Sequence, residues 1–263
     1  MLSRTVYPLF RRVDFRGKGR LRRHLPVPDH GRPVVGFPGR VRLRLDLGES
    51  LQRDFFFGLY DQAELGLLRR ELRAGGDFVD VGAHIGMYTV LAASVLRGRG
   101  RVLAFEPNPS ARAQLEENLA LNDLDNALVV PAAAGSERGE AMLHVPATPD
   151  PSFSSLEAGR FGEGEPVLVR LTTVDDEVDA VGLVPAVVKI DVEGGELDVV
   201  AGMSRVLELR PLLIVEVSES SGAELERRLR GHGYDAFRVV GRKLAPGLGG
   251  AGLFNAVFRP RRC

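Results

Sequence analysis

The stretch Phe78-Val-Asp-Val-Gly-Ala-His-Ile-Gly86 indicates the fold class of this chain. It opens as a short buried strand, passes through a glycine-containing turn, and leads into an apolar segment at 87–96 that is typical of a helix. Four more apolar runs downstream predict strands at 102–105, 126–130, 187–190 and 212–215. Because these strands alternate with predicted helices, the sequence predicts an α/β fold with a doubly wound, mostly parallel sheet.

The flanking regions divide the chain into two parts. Residues 1–40 are rich in Pro and Arg and show no helical or strand period, which predicts a basic N-terminal arm. Residues 41–263 are predicted to form one domain, with an antiparallel insertion at about 139–173. The remaining predicted elements are a strand at 41–47, helices at 61–73, 196–209 and 223–230, and strands at 236–240 and 254–258.

Charge and composition exclude several classes of protein. The 263 residues have a formal net charge of zero, although residues 1–33 hold nine Lys or Arg and two Asp, a net charge of +7. The whole chain is therefore not a basic nucleic-acid clamp. Its single cysteine, Cys263, excludes an intrachain disulfide framework and a zinc site of several thiolates. No run of eighteen apolar residues and no signal-type apolar stretch is present, so we expect no membrane span and a cytoplasmic location.

Candidate binding residues follow the first two predicted strands. In sheets of this type, ligands bind beyond the carboxyl ends of the strands. Gly82 lies in the first turn, and Glu106, which ends the second strand, can accept hydrogen bonds from both hydroxyls of a ribose. The alternatives are a tight turn at Gly82 and a carboxylate favoured by a helix N-terminus at Glu106. Together they indicate a nucleoside-containing cofactor, but the G-x-G-x-x-G pattern of dinucleotide sites is absent.

Three ionisable residues alternate along the fourth predicted strand and just beyond it. Lys189, Asp191 and Glu193 fall on one side of an extended chain because side chains repeat with a period of two. Charged groups are costly to bury on a central parallel strand unless they are paired. The sequence therefore favours a functional cluster here, with a structural salt-bridge network as the alternative.

The order and spacing of these motifs resemble those of the FkbM family of S-adenosylmethionine-dependent methyltransferases. The similar segments are Asp80-Val-Gly-Ala-His-Ile-Gly-Met-Tyr-Thr89, Ala104-Phe-Glu-Pro-Asn-Pro109, Asn118-Leu-Ala-Leu-Asn122, Thr172-Thr-Val-Asp-Asp176 and Lys189-Ile-Asp-Val-Glu-Gly-Gly-Glu196. The resemblance implies a class I methyltransferase fold, Rossmann-like, with a seven-stranded sheet whose last strand is antiparallel. It also implies O-methylation of sugars or natural-product hydroxyls. His84 stands where the family commonly has Asn.

The resemblance also assigns cofactor contacts. It places Asp80 and Gly82 near the methionine moiety, Glu106 on the ribose and Asn108 near the adenosine end. Small residues after the third strand would leave room for the adenine ring. The further cofactor-binding candidates are Ala83, Gly86, Ala132, Ala133 and Tyr60, which would cover the cofactor.

Methyl transfer to a hydroxyl requires a group that takes the hydroxyl proton. The candidates are Asp191 and Lys189 with a lowered pKa, followed by His84, whose pKa suits neutral pH. Glu193 or Glu196 would orient the acceptor or begin the next helix. A less favoured hypothesis is a divalent metal held by Asp191 and Glu216 at adjacent strand ends.

The leading hypothesis is an O-methyltransferase that acts on a small hydroxylated acceptor. The alternatives are an RNA or other nucleic-acid methyltransferase that uses the basic arm, and a binding module that keeps the cofactor without turnover. Against nucleic acid, the chain lacks the Asn/Asp-Pro-Pro-aromatic motif of base methylation. We also expect no aromatic stacking platform beside the arginines of the arm. The sequence does not indicate an oligomeric state.

Overall fold

The computed structural model describes residues 32–146, 155–156, 164–218, 221–241, 243–248 and 252–261. Most of the predicted basic arm lies outside these residues. The Ser152-Phe-Ser segment of the polar insertion and the terminal Cys263 also lie outside them. None of the described helices is both long enough and apolar enough to span a bilayer.

The described part of the chain contains strands, α-helices and one short 3₁₀ helix. The strands are β1 (Val34–Phe37), β2 (Val41–Arg44), β3 (Asp77–Val81), β4 (Val102–Phe105), β5 (Ala127–Val130), β6 (Ala132–Ala134), β7 (Gly139–Pro146), β8 (Gly164–Thr172), β9 (Pro185–Ile190), β10 (Leu212–Val217), β11 (Tyr234–Val240), β12 (Lys243–Pro246) and β13 (Phe254–Pro260). The helices are α1 (Ser50–Phe57), α2 (Gln62–Glu71), the 3₁₀ turn Leu72–Ala74, α3 (Met87–Leu96), α4 (Pro109–Leu121), α5 (Val174–Val181), α6 (Glu196–Ala201), α7 (Ser204–Glu208) and α8 (Gly222–Gly231).

The central sheet has the strand order β12-β11-β13-β10-β9-β3-β4-β5. Strands β10, β9, β3, β4 and β5 are parallel, and β13 is antiparallel to β10. The predicted α/β class I methyltransferase fold, with a mostly parallel sheet, is confirmed. The predicted number of seven strands is wrong, because β12 adds an eighth at the edge. A tight turn that begins at Gly241, with φ of +61°, folds β12 back onto β11.

Two smaller sheets accompany the central one. Strands β7 and β8 pair antiparallel within the region 139–173, and β6 joins β8 in parallel. Strands β1 and β2 form an antiparallel hairpin. The predicted boundary between arm and domain, at residue 40, falls inside this hairpin. The Asn118 and Asn122 side chains of α4 accept hydrogen bonds from the backbone of β2 at 2.7 Å, so the hairpin is fastened to the domain.

The helices differ from the sequence expectation at one point. The predicted helix at 196–209 is wrong as a single helix, because it is two short helices, α6 and α7, separated at Gly202 and Met203. A Cβ at Gly202 would lie 2.0 Å from the carbonyl oxygen of Gly135. This close approach of the loop after β6 requires glycine at the break. Helices α1 and α5 have no counterpart in the sequence expectation.

Helices cover both faces of the central sheet. Helices α2, α3 and α4 pack with α1 and the hairpin on one face, and α5 to α8 pack on the other. Because side chains alternate along a strand, each strand sends every second residue to each face. On the α3 face, the apolar residues Phe78, Val187 and Ile214 lie in the core. The residues that continue their alternation at the carboxyl ends of the strands are polar, and they mark the candidate site.

Candidate active site

A cleft that is open to solvent lies at the carboxyl edge of the central sheet. It is formed by the glycine turn after β3, the end of β4, the start of β6 and the loop after β9. The predicted site residues that line this cleft are Tyr60, Asp80, Gly82, Ala83, His84, Glu106, Asn108, Ala132, Ala133, Lys189, Asp191 and Glu193. Gly86 lies behind the turn, and Glu216 lies beside Asp191. The structure thus brings these residues together, while their individual roles stay predictions.

The glycine turn after β3 is held by close packing. Gly82 has a φ of +82°, and a Cβ there would lie 1.8 Å from the carbonyl oxygen of Asp191. The Asp191 amide donates to the carbonyl of Val81 at 2.9 Å, which fixes the two strand ends against each other. Gly86 is the N-cap residue of α3, with a φ of +90°, and a Cβ there would lie 2.3 Å from the end of the Leu115 side chain. Glycine is therefore required at position 82 by the approach of the Asp191 backbone, and it is favoured at position 86 by the positive φ.

Glu106 ends β4 and faces this turn. Its carboxylate accepts hydrogen bonds from the backbone amides of His84 at 2.7 Å and of Asn108 at 2.8 Å. Burial raises the pKa of Glu106 to about 7, against these two hydrogen bonds, which lower it. A carboxylate has about four acceptor positions, so two remain for donors of a ligand. The residue therefore both ties the turn to β4 and keeps acceptor capacity toward the cleft.

Asp80 is buried at the end of β3. The Thr89 hydroxyl on α3 donates a short hydrogen bond to its carboxylate. Burial raises the pKa of Asp80 to about 6, although the hydrogen bond from Thr89 and the charge of Lys189 act in the opposite direction. The Asp80 side chain is thus tied to α3, whose N-terminal turn forms one wall of the cleft.

The far wall of the cleft is made of small residues. Ala132 and Ala133 of β6 are buried and line the cleft beside Phe105 at the end of β4. Asn108 is also buried, and its side chain accepts from the Ser110 amide at 3.0 Å as the N-cap of α4. The arrangement leaves a flat, mostly apolar slot next to Glu106, which suits an aromatic ring.

Lys189 and Asp191 form an ion pair on the other side of the turn, in which Lys189 is buried and Asp191 is partly exposed. The Lys189 ammonium lies 2.7 Å from the Asp191 carboxylate, and only 1% of Lys189 is exposed. Burial alone would lower the pKa of Lys189, but the carboxylates of Asp191, Asp61 and Asp80 raise it above its usual value. The predicted lowered pKa of Lys189 is therefore wrong. Burial acts to raise the pKa of Asp191, but the Lys189 charge holds it below its usual value.

Glu216 and Glu193 complete an acidic group around Asp191. One carboxylate oxygen from each of the three residues lies within 4.8 Å of the others. Burial, followed by the charges of Asp191 and Glu193, raises the pKa of Glu216 well above its usual range. Carboxylate oxygens are the ligands that a hard divalent cation takes, but such a cation would also lie beside the Lys189 ammonium, which is 2.7 Å from the Asp191 carboxylate. The metal site at Asp191 and Glu216 therefore stays a prediction.

His84 occupies a strained position in the turn, with a φ of +51°. Its ring lines the cleft, and its charge contributes to lowering the pKa of Asp191. Glu193 also has a left-handed backbone, with a φ of +55°, and its carbonyl accepts from the Ser155 hydroxyl at 3.0 Å. Glu196 begins α6 and accepts from the Gly194 amide at 2.9 Å, so its carboxylate orders the loop after β9.

Several residues near the cleft were not found from the sequence. Leu51 and Phe55 of α1 line the cleft, and Phe55 packs edge-to-face on Tyr60 with ring centroids 4.9 Å apart. Tyr88 also lines it, and its hydroxyl donates to Asp61. The one available signal was the position of Tyr88, two residues after the glycine turn. Asp61 was predicted only as the start of a helix.

The fold and the site together define a class I methyltransferase. Its strand order, its glycine turn after β3 and its acidic residue after β4 lie around one cleft. A family model described as the methyltransferase FkbM domain matches residues 80–236, which is more than half of the chain. The chain belongs to this family of methyltransferases.

The chain is also similar to individual methyltransferases. The chain is 30% identical over 159 residues to the hexuronic acid methyltransferase AglP of Haloferax volcanii, which is 60% of this chain and 62% of that protein. The crystal structure of methyltransferase FkbM from Methylobacillus flagellatus KT is similar with a TM-score of 0.50 and 20% identity, over 71% of this chain and 44% of that one. The chain thus spans less than two thirds of either relative. M. jannaschii TYW2 in complex with AdoMet is similar with a TM-score of 0.44 and 16% identity, over 90% of both chains.

Proposed function

We propose that this chain transfers a methyl group from S-adenosylmethionine to a hydroxyl of a small molecule, a sugar or a natural-product scaffold. The observation that carries the proposal is the Asp191 carboxylate, kept ionised by Lys189, in the same cleft as Glu106 and the glycine turn. A proton acceptor and a nucleoside-binding carboxylate on one sheet edge are what an O-methyltransferase needs.

The residues of the cleft fit this cofactor. Glu106 has free acceptor positions for the two ribose hydroxyls, and the alanine slot of β6 suits the adenine ring. Asp80, Gly82 and Ala83 would hold the methionine part, with Asn108 at the adenosine end and Tyr60 as a cover. When bound, the cofactor would supply a methyl group on a positively charged sulfur. The bond between this sulfur and the methyl carbon would break as the acceptor oxygen forms the new C–O bond, and the cofactor would leave as a neutral thioether.

The protein's own part in the reaction is to receive the acceptor proton. Asp191 is ionised at neutral pH, so one of its oxygens can accept the hydroxyl proton directly. Lys189 is an ammonium and cannot serve as the base, and it instead keeps Asp191 charged. Glu193 and His84 are the remaining residues beside Asp191 that can orient the acceptor. No step requires a metal ion.

A sugar acceptor is supported by the relative from Haloferax volcanii, whose name describes a hexuronic acid methyltransferase. Acidic and aromatic side chains on the acceptor side, Asp191, Glu193 and Tyr60, suit a polyhydroxylated ring, because carboxylates accept from hydroxyls and aromatic rings pack on C–H faces. A nucleic-acid acceptor would need the arginines of the N-terminal arm, most of which lies outside the described residues.

Titration calorimetry with S-adenosylmethionine and S-adenosylhomocysteine tests the cofactor, and product detection by mass spectrometry on a panel of glycosides tests the acceptor. We expect binding of both nucleosides, and a mass gain of one methyl on a hydroxyl, unchanged in excess EDTA. Absence of binding by either nucleoside contradicts the proposal. Loss of activity in EDTA, restored by a divalent ion, contradicts the metal-free mechanism.

Cofactor affinity is expected to depend on pH through Glu106. The ionised carboxylate would accept hydrogen bonds from the ribose hydroxyls. Because the pKa of Glu106 in the free protein is about 7, its protonation competes with cofactor binding below that pH. The dissociation constant of S-adenosylhomocysteine should therefore rise as the pH falls below 7, approaching about tenfold per pH unit. In Glu106→Gln, calorimetry should show weaker binding that is flat over the same range. A pH dependence that persists in Glu106→Gln assigns the effect to another group.

A further inference from the structure

Asp61 is placed where an aspartate usually caps a helix, yet it does not cap one. It is the N-cap residue of α2 and makes no capping hydrogen bond with its side chain. Its backbone is left-handed, with a φ of +45°, which is strained for a residue with a Cβ. An N-cap aspartate normally stabilises its helix through that hydrogen bond. The Asp61 side chain makes no such bond and is hydrogen-bonded to residues outside its own helix.

The Asp61 carboxylate instead joins three separate elements. It accepts a hydrogen bond from the Tyr88 hydroxyl on α3 at 2.7 Å and another from the Asn255 amide on β13 at 3.0 Å. Asn255 lies opposite Glu216 in the β10–β13 pair, at the same sheet edge as the cleft. Asp61 therefore fixes the Tyr88 hydroxyl relative to the central sheet.

The Tyr88 ring in turn faces the catalytic candidates. The Lys189 ammonium lies 4.8 Å from the centre of this ring and 2.7 Å from the Asp191 carboxylate. The charges that act most strongly on Lys189 are those of Asp191 just beyond β9, Asp61 before α2 and Asp80 on β3. Glu216 on β10 and Glu64 on α2 also interact with it electrostatically. Of the three strongest, Asp61 has no part in the proposed chemistry.

We propose that Asp61 is a positioning residue for the Lys189–Asp191 pair, and this rests on the proposed function. Through Tyr88 it fixes the ring against which the ammonium packs. Burial raises the pKa of the Asp61 carboxyl, while the Lys189 charge and the hydrogen bonds from Tyr88 and Asn255 act to lower it. The ionised Asp61 is the second counter-charge of Lys189 after Asp191. When the acceptor hydroxyl loses its proton to Asp191, that carboxylate becomes neutral and the buried ammonium would lose its nearest counter-charge. Asp61 keeps the ammonium compensated at that stage, which favours the proton transfer.

The chain contains three lysines, Lys18, Lys189 and Lys243, so NMR of protein labelled with ¹³C at lysine Cε can follow Lys189 directly. Lys18→Arg and Lys243→Arg assign the signals, and the exposed Lys243 is the internal reference. In Asp61→Asn, which keeps the shape and removes the charge, we expect the Lys189 signal to titrate about one pH unit lower than in the wild type. In Glu137→Gln, an exposed control, it should not move.

The positioning contact has its own spectroscopic signature. Protons on Lys189 Cε should be shifted upfield of those on Lys243 by the Tyr88 ring, and Tyr88→Phe, which keeps the ring and loses the anchor, should reduce that shift. An unchanged titration in Asp61→Asn, or an unchanged ring shift in Tyr88→Phe, overturns the proposal. Neither measurement needs cofactor or acceptor. Both therefore test the role of Asp61 independently of whether the proposed methyl transfer is observed.

Discussion

Gly82→Ala is expected to destabilise the protein by about 4 kcal/mol and to abolish cofactor binding. The new Cβ would lie 1.8 Å from the Asp191 carbonyl oxygen, and the backbone at Gly82 has a φ of +82°. Relief requires the ends of β3 and β9 to separate, which breaks the hydrogen bond from the Asp191 amide to Val81. Urea unfolding followed by circular dichroism, with calorimetry of S-adenosylhomocysteine, measures both effects.

Gly182→Ala is the matched control for this substitution. Gly182 also has a positive φ, of +60°, at the end of α5, but a Cβ added there would meet no atom of the described chain within 4 Å beyond its own neighbours. Gly182→Ala should therefore lower the free energy of unfolding by only about 1 kcal/mol, because alanine is disfavoured at a positive φ. Cofactor binding should be unchanged. If the two alanine variants lose similar stability, the close approach of the strand ends is not what requires glycine at position 82.

Asp191→Asn is expected to lower kcat by about 10²- to 10⁴-fold. Asparagine has the same shape and still accepts from Lys189, but it cannot take the acceptor proton. Because Glu106 and the alanine slot lie on the other side of the glycine turn, the dissociation constant of S-adenosylhomocysteine should stay within about threefold of the wild type. Single-turnover kinetics and calorimetry separate the two effects.

Glu193→Gln provides the comparison within the same acidic group. Glu193 lines the cleft beside Asp191 and is partly exposed, like Asp191, but the Lys189 ammonium pairs with Asp191. We expect a loss of less than about tenfold in kcat, with a larger rise in KM for the acceptor. If Glu193→Gln loses the larger factor and Asp191→Asn does not, Glu193 is the base, and Asp191 serves only to pair Lys189.

The main elements of the fold could be predicted because their signals are local. The apolar runs of β3, β4, β9 and β10 and the intervening helices carry their own periodicity. The elements that were missed lack such a signal. Strand β12 has four residues, none of them buried, and α1 begins without a capping side chain. The break between α6 and α7 depends on Gly135, which is distant in sequence.

In the candidate site, too, some features could be predicted from the sequence and others could not. Alternation along strands placed Lys189 and Asp191 on one side, and the end of β4 marked Glu106, because these follow from position within an element. The sign of the pKa shift of Lys189 could not be predicted, since it depends on carboxylates from three elements. Asp61 and Asn255 are 194 positions apart and meet only in the folded chain.

By itself, the sequence determined the family, the order of the main strands of the central sheet, and which residue types stand at the ends of those strands. Those properties are carried by short contiguous motifs. Only the tertiary structure decided that glycine at position 82 serves the contact between β3 and β9, that carboxylates around Lys189 raise its pKa, and that the Asp61 side chain contacts Tyr88 instead of capping its helix. Each of these depends on distances and charges between segments far apart in the chain, where burial makes electrostatic interactions strong.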